Sequence, residues 1–178
     1  MTSPRVAVLV LLWNGLEDAV ACLRSLARSG YPNQVTIVVD NGSREGVVRA
    51  LRRSFPSVVI LEAGANLGFS AGNNLGLRRA LGLGCDYVLL LNQDTAAEPD
   101  MVGKLVRFAE SHPAAGIIGP AVYYPGRAKR IYSLGGSISW PMGTTEHIGM
   151  PSPGGEPSGA ALSRSEERRV GKESRSPW

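Results

Sequence analysis

The segment Asn92-Gln93-Asp94-Thr95 follows directly on an apolar run, Tyr87 to Leu91, and sets an amide and a carboxylate two residues apart. Such a run reads as a strand buried on both faces of a parallel sheet. A carboxylate just past it stands at the rim where open α/β sheets receive their ligands. Asp94 can therefore hold a hard cation, Mg²⁺ or Mn²⁺, between the oxygens of a diphosphate. Asn92 offers only a neutral oxygen, which cannot offset cation charge, so hydrogen bonding to phosphate, sugar or a neighbouring loop suits it better. The competing reading of Asp94 is a cap on the turn that follows the strand.

A second carboxylate, Asp40, ends the apolar run Val35 to Val39. Placed at the same rim, it can accept from the N–H of a nucleobase or from a ribose hydroxyl. It can equally cap the turn that Asn41-Gly42-Ser43 begins. Between the two carboxylates lies Asn66-Leu67-Gly68-Phe69-Ser70-Ala71-Gly72-Asn73-Asn74. Its small residues, amide side chains and helix start suit close contact with phosphate or sugar hydroxyls. Turn chemistry alone explains Gly68, but Asn73 and Asn74 fall in a helical stretch where Asn is a poor former. Phe69 is expected to anchor the core.

Apolar runs alternate with stretches of helical period, the pattern of a parallel sheet built from strand and helix units. Val6 to Leu12 is the first strand, and Leu16 to Ser29 a helix that buries Val20, Leu23 and Leu26. Strand two is Val35 to Val39, followed by a short helix from Val47 to Ser54. Val58 to Leu61 is strand three, and a helix from about Ala71 to Leu83 leads to strand four. A helix from Pro99 to Ser111 comes next, then short strands at Ile117-Ile118 and Val122-Tyr123. Ile131 to Leu134 and Ser137 to Trp140 flank Gly135-Gly136, a hairpin signal. From Pro151 the composition turns to Pro, Gly, Ser and charge, so the fold is expected to span residues 1–150, with a disordered tail over 151–178.

A length of 178 residues suits one domain, and its net charge of +4 owes half its surplus to the stretch Arg164 to Trp178. The remainder has no basic stripe interleaved with aromatics, which argues against nucleic acid as a partner. Cys22 and Cys85 have no metal-ligand spacing and read as reduced, packed thiols. The run Val6 to Trp13 is too short to span a bilayer and lacks a cleavage site, so a cytoplasmic chain is expected. Strand one runs into Trp13-Asn14-Gly15 instead of a Gly-x-Gly-x-x-Gly turn, and no Gly-Lys-Ser/Thr loop occurs, which counts against dehydrogenases and P-loop proteins. His112 and His147 have no partner spaced to complete a metal site and read as surface residues.

In order and spacing, Val39-Asp40-Asn41-Gly42-Ser43, then Asn66 to Asn74, then Leu91-Asn92-Gln93-Asp94-Thr95 resemble family 2 glycosyltransferases of GT-A fold, the rhamnosyltransferase-like branch above all. The resemblance covers about Arg5 to Gly149. It implies a Rossmann-like, mostly parallel sheet with flanking helices, a nucleotide-diphosphate-sugar donor such as dTDP-rhamnose or another dTDP- or UDP-hexose, and Mg²⁺ or Mn²⁺. Transfer would invert the anomeric carbon and deliver the sugar to a saccharide or lipid-linked acceptor, in cell-wall or polysaccharide synthesis at or near the inner face of the membrane. By the same resemblance Asp94 would meet the metal. Trp13, Asn14, Asp40, Asn41, Ser43, Asn66, Gly68, Asn73 and Asn92 would form the donor pocket, with Asp40 at the base or ribose. Asn92 departs from the general Asp-x-Asp pattern, a departure shared by the rhamnosyltransferase-like branch.

Inverting transfer also needs a general base for the acceptor hydroxyl. In these enzymes it comes from a later acidic motif, and no Glu-Asp or Asp-Glu pair follows Asp94. No catalytic base is identifiable, so the acceptor half is expected to be missing, and a non-catalytic nucleotide-sugar-binding fragment is the alternative function. Arg164 to Glu173 resembles a translated sequencing adapter, which suggests a reading frame cut short and extended artefactually from about residue 164.

Overall fold

The computed structural model describes residues 3–124, 131–139 and 141–148. The expectations for residues 151–178, and for Trp140, lie outside the described residues. The chain divides into two compact units, residues 1–103 and 104–178, and the candidate site belongs to the first.

Four strands form the sheet of the first unit: β1 Val6–Leu12, β2 Gln34–Asp40, β3 Val59–Glu62 and β4 Tyr87–Asn92. All neighbours run parallel, in the order β3-β2-β1-β4. Three helices make the crossovers: α1 Leu16–Ala27, α2 Val47–Ser54 and α3 Gly68–Gly82. Right-handed crossovers put α1 and α2 over one face of this sheet and α3 over the other, because β4 lies on the far side of β1.

The strands are apolar throughout because both faces are covered. Ala7, Leu9, Ile37 and Val39 are fully buried and cluster with Ala80 of α3. By the two-residue alternation, Val8, Val10, Leu12 and Val38 fill the opposite face, and all are buried. The buried side of α1 is Ala19, Cys22, Leu23, Ser25 and Leu26, with Val20 only half-buried, and α2 adds Leu51. Close approach of α3 depends on glycine. A Cβ at Gly76 would run into the side chain of Leu9, and one at Gly72 would stand 2.6 Å from Leu11 Cδ1.

Element boundaries shift where tertiary contacts decide them. α3 begins at Gly68, three residues before the expected Ala71, because its first amides find partners in side chains outside the helix. Leu67 N–H donates to Asn41 Oδ1 (2.9 Å) and Gly68 N–H to Asn66 Oδ1 (2.9 Å). Asn92 is the last residue of β4, opposite Leu11, and the helix expected from Pro99 is α4, Met101–Ser111.

The second unit holds two antiparallel pairs. β5 Val122–Tyr123 pairs with β6 Ile131–Ser133, and β7 Gly135–Ser139 pairs with β8 Thr144–Ile148. The expected hairpin about Gly135-Gly136 is therefore not formed. Both glycines lie inside β7, opposite Ile148 and His147, and the chain reverses through Pro141-Met142-Gly143. Proline leaves the ladder there and Gly143 takes the left-handed conformation (φ +62°). Ile117-Ile118 forms no strand, and Ile117 is exposed.

Candidate functional site

The strand order sets β1 between β2 and β4, so the carboxyl ends of all three open on one rim. Asp40 lies opposite Leu12 and Asn92 opposite Leu11. Two strand spacings separate Asp40 from Asn92, about 10 Å. That interval matches the reach from nucleobase to diphosphate in a nucleotide, and Asp94 stands two residues further on. The sheet's topological switch, where successive crossovers leave in opposite directions, lies between β1 and β4.

After β1 the chain turns sharply through two left-handed residues, Asn14 (φ 56°) and Gly15 (φ 52°). The turn is held by side chains from both neighbours. Asn14 N–H donates to Ser43 Oγ (2.8 Å), and Arg44 N–H donates to Asn14 Oδ1 (3.0 Å). From the β4 side, Gln93 Oε1 accepts from Trp13 N–H (2.8 Å) while its Nε2 reaches Trp13 O at 3.5 Å. Gly15 leaves the room this clamp needs, since a Cβ would collide with the Gln93 amide. The Trp13 indole remains exposed, beside the pinned backbone.

Asp40 is buried, and its carboxylate accepts from Ser43 N–H, 3.2 Å from Oδ1 and 3.4 Å from Oδ2. The turn-capping role is thus real. The same carboxylate also lines an open cavity of about 480 Å³, so one group serves both geometries. Asn41, also buried, latches the loop before α3: its Nδ2 donates to Asn66 Oδ1 (3.0 Å) and lies 3.4 Å from Gly68 O. Gly42 permits the contact, because a Cβ there would stand 2.7 Å from the backbone of Ala65 and Asn66. Asn73 is buried in α3 and donates to Phe69 O (2.9 Å), one turn back. The amides of Asn14, Asn41, Asn66 and Asn73 are therefore engaged within the protein, where they shape the rim. Phe69 is no core anchor: it is 63% exposed at the first turn of α3.

The end of β4 differs. Asn92 and Asp94 are exposed, and their side chains make no hydrogen bond or ion pair among the described residues. The loop that carries them is nevertheless fixed. Ser25 Oγ accepts from Ala97 N–H (2.9 Å) while donating to Cys22 O (2.6 Å), and Gly30 N–H donates to Pro99 O (3.0 Å). Burial pushes the Cys22 thiol up to about 11, with the Asp94 charge adding to the shift, so this thiol stays neutral and the carboxylate's field reaches beneath the rim. Both cysteines are free, as their spacing suggested.

Among the described residues no three His, Cys, Asp or Glu side chains converge as a cation cage. The single exposed carboxylate of Asp94 is compatible with Mg²⁺, which is held by one or two carboxylates and completes its shell with phosphate oxygens and water.

The profile of glycosyl transferase family 2 matches residues 7–165. The chain belongs to glycosyl transferase family 2. Its sheet is the GT-A one found in solved glycosyltransferases. These include a mannosyltransferase from Pyrobaculum calidifontis in complex with GDP-Man and Mn²⁺ (TM-score 0.60, 23% identity, 70% of this chain and 37% of that one). TarS of S. aureus in complex with UDP-GlcNAc is similar too (TM-score 0.60, 19% identity, 70% and 36%). In sequence the family 2 chain is 28% identical over 126 residues to an uncharacterized glycosyltransferase of Haemophilus influenzae, covering 71% of this chain and 40% of that protein. It is 29% identical over 97 residues to the N-acetylglucosaminyl-diphospho-decaprenol L-rhamnosyltransferase of Mycobacterium tuberculosis, covering 50% and 32%. It thus spans well under half the length of these relatives. No helix among the described residues is long and apolar enough to cross a membrane.

Gln93 was invisible as a site residue in the sequence, where it reads as a spacer between Asn92 and Asp94. Its one signal is a long amide beside a left-handed Asn-Gly turn, and only the parallel pairing of β1 with β4 brings the two together.

Proposed function

We propose that this family 2 domain binds a nucleotide-diphosphate sugar and serves its transfer to a saccharide or lipid-linked acceptor. The observation that carries the reading is a division of labour at the rim. The fold engages the amides of Asn14, Asn41, Asn66, Asn73 and Gln93, and leaves Asn92 and Asp94 uncommitted on the same rim as the buried Asp40. Asp40 would accept from the base or ribose. Asn92 would donate to phosphate or sugar oxygens, and Trp13, Asn14, Ser43 and Gly68 would line the pocket largely through their backbone. Asp94 would hold Mg²⁺ or Mn²⁺, which when bound neutralises charge on the diphosphate leaving group. The Mn²⁺ and GDP-Man in the P. calidifontis mannosyltransferase complex support a metal-assisted nucleotide sugar.

Asn92 in place of the first acid, and likeness to the mycobacterial L-rhamnosyltransferase, support a dTDP-rhamnose or related dTDP- or UDP-hexose donor in this reading. Inversion at the sugar carbon goes with this reading, with a general base removing the acceptor proton. Incubation with dTDP-rhamnose, UDP-glucose and GDP-mannose in Mn²⁺, followed by product analysis, tests the assignment. Release of dTDP with the sugar transferred to water is the expected result. Binding with no turnover would instead identify a nucleotide-sugar-binding module, and neither binding nor turnover would refute the proposal.

A further inference from the structure

The cavity lined by Asp40 is lined also by α2 and the segment before it, with four arginines, Arg44, Arg49, Arg52 and Arg53, and two further carboxylates, Glu45 and Glu62. Arg49, Arg52 and Arg53 are spaced i, i+3 and i+4, so one side of the helix carries all three. Two of the four charges are answered. Arg52 pairs with Glu62 at 2.7 Å, and Arg49 stands 3.6 Å from Glu45 across one exposed helical turn. The guanidinium groups of Arg44 and Arg53 have no carboxylate partner among the described residues. Arg44 is fixed at its main chain, where its N–H donates to Asn14 Oδ1. Two of the three lining carboxylates, Glu45 and Glu62, are thus taken up by Arg49 and Arg52, and planar guanidinium forks fit phosphate oxygens in pairs.

We propose that this compartment binds a phosphate group distinct from the donor diphosphate, held between Arg44 and Arg53 with Arg52 oriented by Glu62. Asp40, across the cavity, repels an anion and so confines it to the α2 side. Two sources present the same chemistry: a soluble phosphate compound and the headgroup of an anionic lipid. The inference shares Asp40 and its cavity with the donor reading, but requires neither Asp94 nor a metal.

Calorimetric titration of the full chain with inorganic pyrophosphate, without divalent metal, tests it. The proteins to compare are wild type, the double variant Arg44→Ala/Arg53→Ala, and Asp94→Ala. Binding weakened about tenfold or more in the double variant, about 1.4 kcal/mol, and unchanged in Asp94→Ala is expected. Co-sedimentation with phosphatidylcholine vesicles, with and without phosphatidylglycerol, separates the sources. Capture only by phosphatidylglycerol vesicles, lost in the double variant, would assign the phosphate to lipid. Absence of binding in both assays, or binding that the double variant retains, would overturn the proposal. All four arginines are exposed, so the variants are expected to fold, which circular dichroism verifies.

Discussion

The side-chain amide of Gln93 faces the main chain of Trp13 with both its polar atoms: Oε1 accepts from Trp13 N–H at 2.8 Å and Nε2 lies 3.5 Å from Trp13 O. It continues the β1–β4 pairing one step beyond the last ladder residues, at the switch point of the sheet. The loop holding Asn92 and Asp94 is thereby tied to the turn after β1 through the residue between them.

Loss of that clamp should be measurable as stability. Gln93→Ala is expected to cost about 1–2 kcal/mol, the worth of one or two hydrogen bonds at a solvent edge. Gly15→Ala is expected to cost at least as much, since it strains a left-handed residue and displaces the same amide. Urea unfolding of each variant provides the comparison. Wild-type stability in both would show that the clamp contributes nothing.

Asn41 and Asn92 should behave oppositely. Asn41→Ala removes a buried amide and takes from Leu67 N–H and Asn66 Oδ1 the bonds they make to it, while Asn66 Oδ1 keeps its bond from Gly68 N–H, and about 1–3 kcal/mol of stability should go with it. Asn92→Ala removes an exposed side chain that bonds nothing within the described residues, so its melting temperature should match wild type. Equal melting temperatures for the two variants would contradict this division.

The packing of α3 on β1 predicts intolerance at Gly76. A methyl group there meets Leu9, which is fully buried and cannot retreat, so Gly76→Ala should cost about 1–3 kcal/mol by overpacking, despite the better helix propensity of alanine. A neutral or stabilising result in chemical denaturation would show that the helix stands further from the sheet.

Cys22 provides a pH test. Its thiol is raised to about 11 from an ordinary 9.0. Below pH 9 it is protonated in both folded and unfolded chains and adds no pH dependence. Between pH 9 and 11 the unfolded chain sheds the proton while the folded one keeps it, so stability falls as pH rises, by up to about 3 kcal/mol. Denaturant melts across that window, compared with Cys22→Ala, isolate the effect. Parallel curves for the two proteins would rule it out.

The four parallel strands were legible in the sequence because continuous Val, Leu and Ile runs have no other use in a chain this polar elsewhere. α2 matches its expected bounds, Val47 to Ser54, because Pro56 stops it locally. Failures came where distant residues decide. The early start of α3 rests on Asn41, 26 residues away in sequence from Leu67, and the hairpin at Gly135-Gly136 lost to a Pro141-to-Gly143 reversal. At the site, Asp40, Asn92 and Asp94 were visible as strand-end polar groups. That Asn41, Asn66 and Asn73 are spent inside the protein was not, since a sequence gives residue types and not the partners that satisfy them.

The most direct test is Mn²⁺-dependent binding of dTDP, measured by calorimetry on wild type and Asp94→Ala. Wild type should bind dTDP more tightly with Mn²⁺ than without it. Asp94→Ala, exposed and unbonded at its side chain, should keep the wild-type melting temperature and lose the metal enhancement. Equal affinity of the two proteins in excess Mn²⁺ would contradict the assignment of Asp94 as the metal-holding carboxylate of a nucleotide-sugar site.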